Sequence, residues 1–474
     1  MTSASVLDHF KKITQIPRES GHEEPMTAYL QSFAASHHLE CKTDETGNVL
    51  IIKEAAPGKE NVPTIVLQGH QDMVCEKNAG VQHDFAKDPI KYVVEDGWMI
   101  AKDTTLGADD GIGIAASLAL LESEVPMGRV ECLFTISEET GMDGAEALEE
   151  GFFTGKTLIN LDSEEEGEFC IGCAGGLNTL ATFKYNTENR RDGYTRISLK
   201  ICGGVGGHSG EDINKERMNT VQQMARFLYA ELPYDPQLLL FKGGNKPNAI
   251  ARECEVVLAV PDADATFVRF EQFGKDVKGE FTVSDPDVRF ISEVCYLNEK
   301  AVDADTARRL ITSLFTCPHG VQAMSQEIKG LVETSTNLAS VRMTEHGVIR
   351  VVTSQRSSIN SAKRMIAAKV KANFEAAGAE VEHQYEYPGW KPDTQSHVLH
   401  QCIESYQKLF GVAPIVKAIH AGLECGLFLE KFHDLDMISF GPTLLGVHAP
   451  GERMELASLD KFVALLEDVV ANFE

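Results

Sequence analysis

The stretch TIVLQGHQD, residues 64–72, decides how this 474-residue chain is interpreted. TIVLQ is a short, mostly apolar run, which is typical of a central strand covered on both faces. His70 and Asp72 follow it two residues apart, where an extended backbone points both side chains the same way. A metal-binding histidine commonly has its second ring nitrogen held by a carboxylate. A histidine and an aspartate in a surface loop would give the same pattern, so both interpretations stay open.

The same pattern recurs further along the chain. CLFTIS (132–137) precedes Glu138 and Glu139, and TLINLD (157–162) ends at Asp162. Helical patterns alternate with these runs, which predicts an α/β layered domain. In open sheets of this class, ligands gather beyond the carboxyl ends of the strands, so we expect these acidic residues and His70 to share a location.

Two further acidic pairs have both a structural and a chemical interpretation. Asp109 begins an apolar-periodic helix, GADDGIGIAASLALLE, and either Asp109 or Asp110 could simply cap it. A carboxylate has two oxygens, so Asp109 could also bridge two ions. Glu138 and Glu139 could form a solvated turn. Alternatively, one of them binds a metal while the other accepts a proton from water.

Composition excludes several classes of protein. The net charge of −27 is spread along the chain, which argues against a nucleic-acid partner. No signal-peptide core and no run of about 18 apolar residues is present, so we predict a cytoplasmic enzyme with no membrane partner. The 11 cysteines are scattered, and the Cys170–Cys173 pair has no second pair to complete a zinc knuckle.

The pattern of apolar and polar residues changes near residue 186, and the first pattern returns near residue 388. TRISLKIC (195–202) alternates strictly, as expected of a sheet with one wet face. YPGWKP (387–392) interrupts the middle pattern, and LDMISFG (435–441) again reads as a buried strand. We therefore predict a first domain over 1–185 and 388–474, interrupted by a second domain over 186–387, which returns His448 towards His70. Within the middle segment the predicted elements are strands near 195–202, 254–260, 290–297, 339–353 and 380–386 and helices near 218–227, 302–315 and 358–377.

Several motifs together carry a resemblance that spans nearly the whole chain. GHQDMV, GADDGIG, SEETG, NLDSEE and HAPGE, in this order, resemble the five metal-site motifs of the aminoacylase and carnosinase superfamily of dinuclear zinc peptidases. GGHSG, KPNAIARE, YPGWKP and HAGLECGLF are most similar to the bacterial aminoacyl-histidine dipeptidases. The resemblance implies a zinc-peptidase-like α/β catalytic domain, with a mixed sheet flanked by helices, interrupted by an inserted α+β lid domain.

The resemblance also assigns roles to the polar residues. It implies that His70 and Asp162 hold one divalent ion, that Glu139 and His448 hold the other, and that Asp109 bridges the two. Glu138 is then the general base, and Asp72 orients His70. Relatives often have Asn where this chain has Asp110, so the choice of Asp109 rests on the motif. Zn²⁺ suits imidazole with carboxylates, and Mn²⁺ or Co²⁺ would use the same ligands.

In the lid, the resemblance implies that His208 polarises the scissile carbonyl, from its own subunit or from a partner. Asn248 and Arg356 are expected to contact substrate, with Arg356 suited to a bidentate grip on a terminal carboxylate. Glu424 is expected to read a free amino terminus. For His208 and Arg356 a turn or surface position is the alternative interpretation. A homodimer through the lid is an arrangement that the resemblance allows.

The function implied is a dinuclear metallopeptidase that hydrolyses Xaa-His and other dipeptides with a free amino end, using a metal-bridging water activated by Glu138. One alternative is an N-acyl amino acid deacylase or another exopeptidase of the same superfamily. Another is a non-catalytic peptide-binding protein on a decayed enzyme scaffold, although all seven metal-site positions keep competent side chains.

Overall fold

A computed structural model describes residues 1–296, 299–344 and 347–474. The chain packs into two compact units. Unit 1 comprises Met1–Gly172, Trp390–Ala418 and Leu423–Glu474, and unit 2 comprises Cys173–Gly389 and Ile419–Gly422. Within the described residues, no helix is both long and apolar enough to cross a membrane.

The described helices are labelled α1 to α12 in chain order: Ser3–Ile13, Glu24–Ser36, Ala108–Glu122, Glu138–Gly141, Asp143–Ala147, Thr220–Glu231, Ala263–Glu280, Ala304–Thr316, Asn360–Ala376, His397–Phe410, Glu424–Lys431 and Leu456–Asn472. The described strands are labelled β1 to β23: Glu40–Thr43, Val49–Lys53, Ile65–His70, Tyr92–Glu95, Trp98–Ala101, Val130–Thr135, Thr157–Asn160, Glu168–Cys173, Gly175–Lys184, Thr187–Glu188, Thr195–Cys202, Gln237–Gly244, Cys254–Val260, Arg289–Val294, Ala301–Val302, Gly320–Met324, Val332–Thr344, Val348–Ser357, Glu380–Tyr387, Ile415–Ile419, Asp436–Ser439, Leu444–Leu445 and Arg453–Glu455.

Unit 1 is built on a mixed sheet with strand order β1-β2-β6-β3-β7-β21-β8-β20. Its centre is parallel: β6 pairs with β3, β3 with β7, and β7 with β21. Strands β3, β6 and β7 are buried along their whole length, which explains why their sequences are apolar runs rather than alternating patterns. Helix α3 is buried on almost every side and packs against α1 and β3. The four parallel strands therefore end at one edge of the sheet.

Unit 2 is built on a larger sheet, in which every described pairing is antiparallel. The strand order is β14-β11-β13-β12-β17-β18-β9-β19, and β16 pairs with β17. One face carries the apolar core of the unit, including Ile197, Leu199 and Ile201 of β11, and helices α6 to α9 contribute to it. The opposite face carries the polar residues of the same strands, as the alternation in 195–202 predicts.

The structure has the α/β class and the mixed, helix-flanked sheet predicted from the sequence. One element differs from expectation, because β9 begins at Gly175 and pairs with β18 and β19 of the second sheet, although its residues precede position 186. The predicted domain boundaries otherwise stay a prediction. Position 297 of the predicted strand 290–297, and positions 345–346 within 339–353, lie outside the described residues.

Candidate metal centre

The parallel strands of unit 1 deliver the predicted site residues to one edge of the sheet. His70 is the last residue of β3, Glu138 and Glu139 follow β6, and Asp162 follows β7. The loop after β21 leads to His448. Because the carboxyl ends of parallel strands share an edge, residues far apart in sequence meet here.

Asp72 holds His70 and also organises the turn after β6. Its Oδ1 lies 3.2 Å from His70 Nδ1 and accepts from the Glu138 amide, and its Oδ2 accepts from the Glu139 amide and from Ser20 Oγ. Burial alone would raise the pKa of Asp72, but the bond and charge of His70, with the other donors, lower it to about 2. Asp72 is therefore an ionised carboxylate that leaves Nε2 of His70 as the free ligand atom.

Asp109 lies between the two histidines. Its Oδ1 is 2.9 Å from His70 Nε2, and its Oδ2 is 3.0 Å from His448 Nε2. Burial raises the pKa of Asp109, but the hydrogen bonds with His448 and His70 outweigh it and hold the pKa far below its usual range. The geometry is that of a carboxylate offering one oxygen to each side.

Asp110 has a different environment although it is the next residue. It is 1% exposed, and its Oδ1 accepts from the amide of Gly113 inside α3. A Cβ at Gly69 or at Gly113 would overlap its carboxylate, so the glycines of GHQD and GADDGIG leave the room that Asp110 occupies. Burial raises the pKa of Asp110 to about 8. Asp110 therefore bonds to the first turn of α3, whereas Asp109 is the candidate metal ligand.

The remaining site residues complete two clusters. His448 Nε2 lies 2.8 Å from Glu139 Oε1, and bonds with Asp109 and Glu139 raise the pKa of His448 to about 10. His70 Nε2 lies 3.4 Å from Asp162 Oδ1. Burial, followed by the charge of Asp109, raises the pKa of Asp162 well above its ordinary value. The concentration of carboxylates around two imidazoles is a negative site that a divalent cation would neutralise.

Among the described residues, three groups place one ligand atom from each member within 4.8 Å of one another. One is His70, Asp109 and Asp162, and a second is Asp109, Glu139 and His448. These two groups share Asp109 and coincide with the two ligand sets that the sequence resemblance implies. The third combines His70 with Glu138 and Glu139. Imidazole and carboxylate donors at this spacing fit Zn²⁺ and similar divalent ions.

Glu138 belongs to the third of these groups only, with His70 and Glu139, and to neither of the two groups that share Asp109. Burial is the main reason that its pKa rises to about 8, and the charges of Glu424 and Glu139 add to the effect. A carboxylate with a raised pKa beside a candidate metal cluster is suited to exchange protons near neutral pH. Glu138 and Glu139 therefore differ in environment as they were predicted to differ in role.

Two residues that position this site were missed by the sequence analysis. Glu452 accepts hydrogen bonds from the amides of Leu106, Gly107 and Ala108, the segment that leads into Asp109. Arg18 is buried and donates to the carbonyls of Gln71, Asp72 and Gly107. The motif HAPGE contains Glu452 and was the only signal available for it. Nothing in the sequence around Arg18 distinguishes it from a surface arginine.

Glu424, predicted to read a free amino terminus, lies buried beside two polar side chains of unit 1. It is 1% exposed, and its Oε2 accepts from Gln68 Nε2 at 2.6 Å and from Thr135 Oγ1 at 2.8 Å. Burial raises its pKa to about 7. Its other oxygen has no hydrogen-bond partner among the described residues. A residue that reads a substrate's amino terminus needs an accessible carboxylate, and Glu424 does not present one in this structure.

Unit 2 brings His208 and Arg356 together. His208 Nε2 lies 3.4 Å from Arg356 Nη2, and Nδ1 of the same ring accepts from the Glu211 amide. Burial and the Arg356 charge lower the pKa of His208, which favours the neutral ring. Arg356 is 8% exposed, with Nη1 donating to Tyr387 Oη and a buried Nε that has no partner among the described residues. Such a guanidinium has donor capacity left for an anionic group.

His420 and Tyr387 belong to the same cluster and were not singled out from the sequence. His420 is buried with Nε2 2.7 Å from Ser335 Oγ, and burial followed by the charges of Arg356 and His208 lowers its pKa to about 3. His420 lies in the motif HAGLECG and Tyr387 in YPGWKP, two of the motifs that carry the family resemblance. Asn248 has an exposed side chain, and its backbone carbonyl accepts from the Ser209 amide next to His208.

A mixed sheet whose parallel strands end in clustered histidines and carboxylates is an arrangement suited to a metal-dependent hydrolase. The chain belongs to the peptidase family M20/M25/M40, whose model matches residues 66–472. It is 38% identical over 468 residues to the cytosol non-specific dipeptidase of Escherichia coli, covering 98% of this chain and 96% of that protein.

Solved structures agree with this assignment. The aminoacylhistidine dipeptidase of Vibrio alginolyticus is 38% identical with a TM-score of 0.92, over 99% of this chain and 97% of that one. The aminopeptidase PepT of Bacillus cereus matches with a TM-score of 0.58 at 17% identity, over 99% of this chain and 98% of that one. At that identity the second match concerns the fold alone.

Proposed function

We propose that the protein is a dinuclear metal-dependent dipeptidase that hydrolyses Xaa-His and other dipeptides with a free amino terminus. The observation that carries the proposal is the pair of ligand groups that share Asp109. A shared carboxylate between two otherwise separate ligand sets is what a two-ion site requires. The dipeptidases of E. coli and V. alginolyticus to which the chain is similar support the substrate class.

The donor set favours two Zn²⁺ ions, with Mn²⁺ or Co²⁺ as alternatives. His70 and Asp162 would hold one ion, Glu139 and His448 the other, and Asp109 both. Divalent ions held there would supply Lewis acidity, which lowers the pKa of water and polarises a peptide carbonyl. Asp72 keeps His70 in the tautomer whose Nε2 faces the site.

Glu138 is the proposed general base. It would take the proton of the attacking water and return it to the leaving amine. Its pKa of about 8 applies without cations, and positive charge nearby would lower it towards the ionised form that a base needs. Glu138 bonds to Asp72 only through its backbone amide, so the side chain is not occupied by that contact.

His208 and Arg356 are the proposed substrate-binding groups of unit 2, with Asn248 a third. A neutral His208 whose Nδ1 accepts from an amide carries its proton on Nε2, where it can donate to a carbonyl oxygen. Arg356 would bind the carboxyl terminus of the dipeptide. Glu424 is better suited to holding Gln68 and Thr135 in place than to contacting the amino terminus of a substrate.

Metal analysis coupled to a substrate panel tests the proposal. The purified protein is expected to contain about two divalent ions per chain. It should cleave Xaa-His and other dipeptides faster than tripeptides or N-acetyl amino acids. Preference for N-acetyl amino acids would favour the deacylase alternative, and binding of dipeptides without cleavage by the metal-replete protein would contradict the proposal.

Location and assembly remain predictions. A cytoplasmic location is supported by the similarity to the cytosol non-specific dipeptidase of E. coli. The homodimer through the second unit is to be tested by sedimentation of the metal-loaded protein. If it forms, mixing two variants, one without His208 and one without Glu138, tests whether His208 serves its own subunit or the partner.

A further inference from the structure

Unit 2 contains a cavity of about 460 Å³ on the face of its sheet opposite the helices. Four cations and two carboxylates line it: Lys200, Lys242, Arg252, Arg342, Glu253 and Glu255. Gly243, Gly244 and Asn245 form part of its wall. We call it the cationic cavity. Its volume lies within the range of about 300–1,000 Å³ found for small-molecule sites.

Strand register explains why the charges converge. Lys200 of β11 is opposite Glu255 of β13, and Glu255 is opposite Lys242 of β12. Lys242 is in turn opposite Arg342 of β17, and Arg342 is opposite Arg350 of β18. Directly opposed residues point to the same face, so these five side chains form one row across five strands.

The row is not neutralised within the protein. Lys242, Arg342 and Arg350 are three consecutive cations, and none makes a salt bridge with any residue in the part of the chain that the structure describes. Arg342 donates to the Gly244 carbonyl, a bond that fixes the side chain without removing its charge.

The two carboxylates of the cavity lie towards the other end of the row. Glu253 is 3.9 Å from Lys200, and Glu255 accepts from Ser198 Oγ at 3.2 Å. Glu255 lies opposite both Lys200 and Lys242, so the positive charge of the row is least compensated on the side that runs from Lys242 through Arg342 to Arg350.

This arrangement costs stability. Like charges directly opposite on neighbouring strands repel each other, and neighbouring strands are about 4.8 Å apart. Acidic residues outnumber basic ones in the chain as a whole, 71 Asp and Glu to 44 Lys and Arg, whereas four basic side chains and two acidic ones line this cavity. A bound anion would convert the repulsion into attraction.

We propose that the cationic cavity binds a small multivalent anion, with phosphate or carboxylate groups spaced about 5 Å apart to match neighbouring strands. Lys242 and Arg342 are its principal contacts, and Lys200, Arg252 and Arg350 contribute positive charge around them. The proposal does not depend on the peptidase chemistry, because none of the proposed catalytic or metal-binding residues lines the cavity.

The probe is 1,3,6-naphthalenetrisulfonate, whose sulfonates coordinate divalent metals poorly and so avoid the metal centre. Binding to the metal-loaded full chain is measured by titration calorimetry in low salt. Saturable binding is expected, with Lys242→Gln combined with Arg342→Gln weakening it at least tenfold. Glu255→Gln removes the negative charge of the row and should tighten binding, a gain that structural damage would not produce.

A matched control removes two cations from the helical face of the same unit, Lys278→Gln with Lys369→Gln, and should change the affinity less than twofold. Fructose 1,6-bisphosphate and propane-1,2,3-tricarboxylate are then tested as competitors, and whichever displaces the probe identifies the anionic group. The proposal is overturned if the parent does not bind the probe or if neither competitor displaces it. It is also overturned if the Lys242/Arg342 variant binds the probe as tightly as the parent, or if the control variant weakens binding by as much. Weaker binding of the probe by Glu255→Gln would overturn it too.

Discussion

Glu138 and Glu139 are chemically identical neighbours, and their surroundings make them different. Glu139 contacts His448 and belongs to a candidate ligand group with Asp109, whereas Glu138 lies outside that group and its pKa is raised to about 8, mainly by desolvation and then by the charges of Glu424 and Glu139. Both amides bond to the same carboxylate, Asp72, which fixes the backbone that separates the two side chains. The two proposed roles therefore rest on environment rather than on residue type.

At the residue scale, Asp72→Asn is expected to lower metal affinity about 10- to 100-fold, because His70 loses the carboxylate that orients it. Titration of the metal-free protein with Zn²⁺ against a competing chelator measures the change. Ser20→Ala removes only one of the bonds to Asp72 and should have a much smaller effect. Unchanged affinity in Asp72→Asn would show that this carboxylate does not position His70 for a metal.

Arg356→Lys is expected to raise KM for dipeptides about tenfold or more while kcat changes less, since lysine cannot make a bidentate contact with a carboxylate. Steady-state kinetics on one Xaa-His dipeptide and on its carboxyl-terminal amide provide the measurement. With the amide as substrate, the KM values of the parent and of Arg356→Lys should differ much less than with the free acid. Arg364→Lys, an exposed position in the same unit, is the control. An equal KM in the parent and in Arg356→Lys would remove the carboxylate-binding role.

The predicted metal ligands could be singled out from the sequence more readily than the residues that support them. His70, Asp109, Glu139, Asp162 and His448 all lie within hydrogen-bonding range of at least one other member of the set, because strand ends are readable from apolar runs. Glu424, which was predicted to read a free amino terminus, is buried against Gln68 and Thr135, and nothing in the local sequence indicates that contact. Such contacts join residues hundreds of positions apart.

At the element scale, the loop before α3 depends on one distant side chain. Glu452 receives three backbone amides from that loop, so Glu452→Gln would place an amide group against donors that need an acceptor. Burial raises the pKa of Glu452, but bonds from amides to both oxygens favour its ionised form. We expect a loss of about 2 kcal/mol in the free energy of unfolding and weaker metal binding through displacement of Asp109.

Denaturant unfolding and metal titration of Glu452→Gln test this expectation. Glu455→Gln, in the neighbouring strand and outside the loop contacts, is the matched control. A variant at position 452 as stable as the parent, with full metal affinity, would mean that the loop holds its shape without this carboxylate.

Element types were predictable where the pattern was strong. The buried strands β3, β6 and β7 and the alternating strand β11 match the sequence interpretation within a few residues. β9 was not recognised, because GGLNTLATFK follows directly on β8 and lacks a clear break in texture. Gly175 is in close contact with the backbone near Gly389, a tertiary constraint that only the fold reveals.

At the scale of the whole molecule, the metal-free protein should become less stable as the pH rises above about 6.5, where the buried histidines with lowered pKa values, such as His420, are neutral in both the folded and the unfolded state. In the folded state Glu138 keeps its proton until about pH 8, compared with 4.5 in its ordinary state, and Glu424 until about 7. The folded protein therefore binds more protons than the unfolded one in this window, and stability falls with increasing pH. The stabilising protonation of His448 is likewise present below pH 6.5 and lost as the pH approaches 10.

Thermal unfolding of chelator-treated and metal-loaded protein between pH 6.5 and 9 measures the effect. Tm of the metal-free form should fall by about 5 °C or more across this range, and the metal-loaded form should change less because ions replace the protons. A metal-free Tm that rises with pH would contradict the account.

The central claim is that two adjacent glutamates divide metal binding from proton transfer. Its most direct test is metal content and turnover measured together on Glu138→Gln and Glu139→Gln. Glu138→Gln is expected to keep about two ions per chain while kcat falls roughly 10²- to 10⁴-fold, and Glu139→Gln is expected to lose metal. Normal turnover in Glu138→Gln, or loss of metal from it while Glu139→Gln keeps both ions, would contradict the assignment.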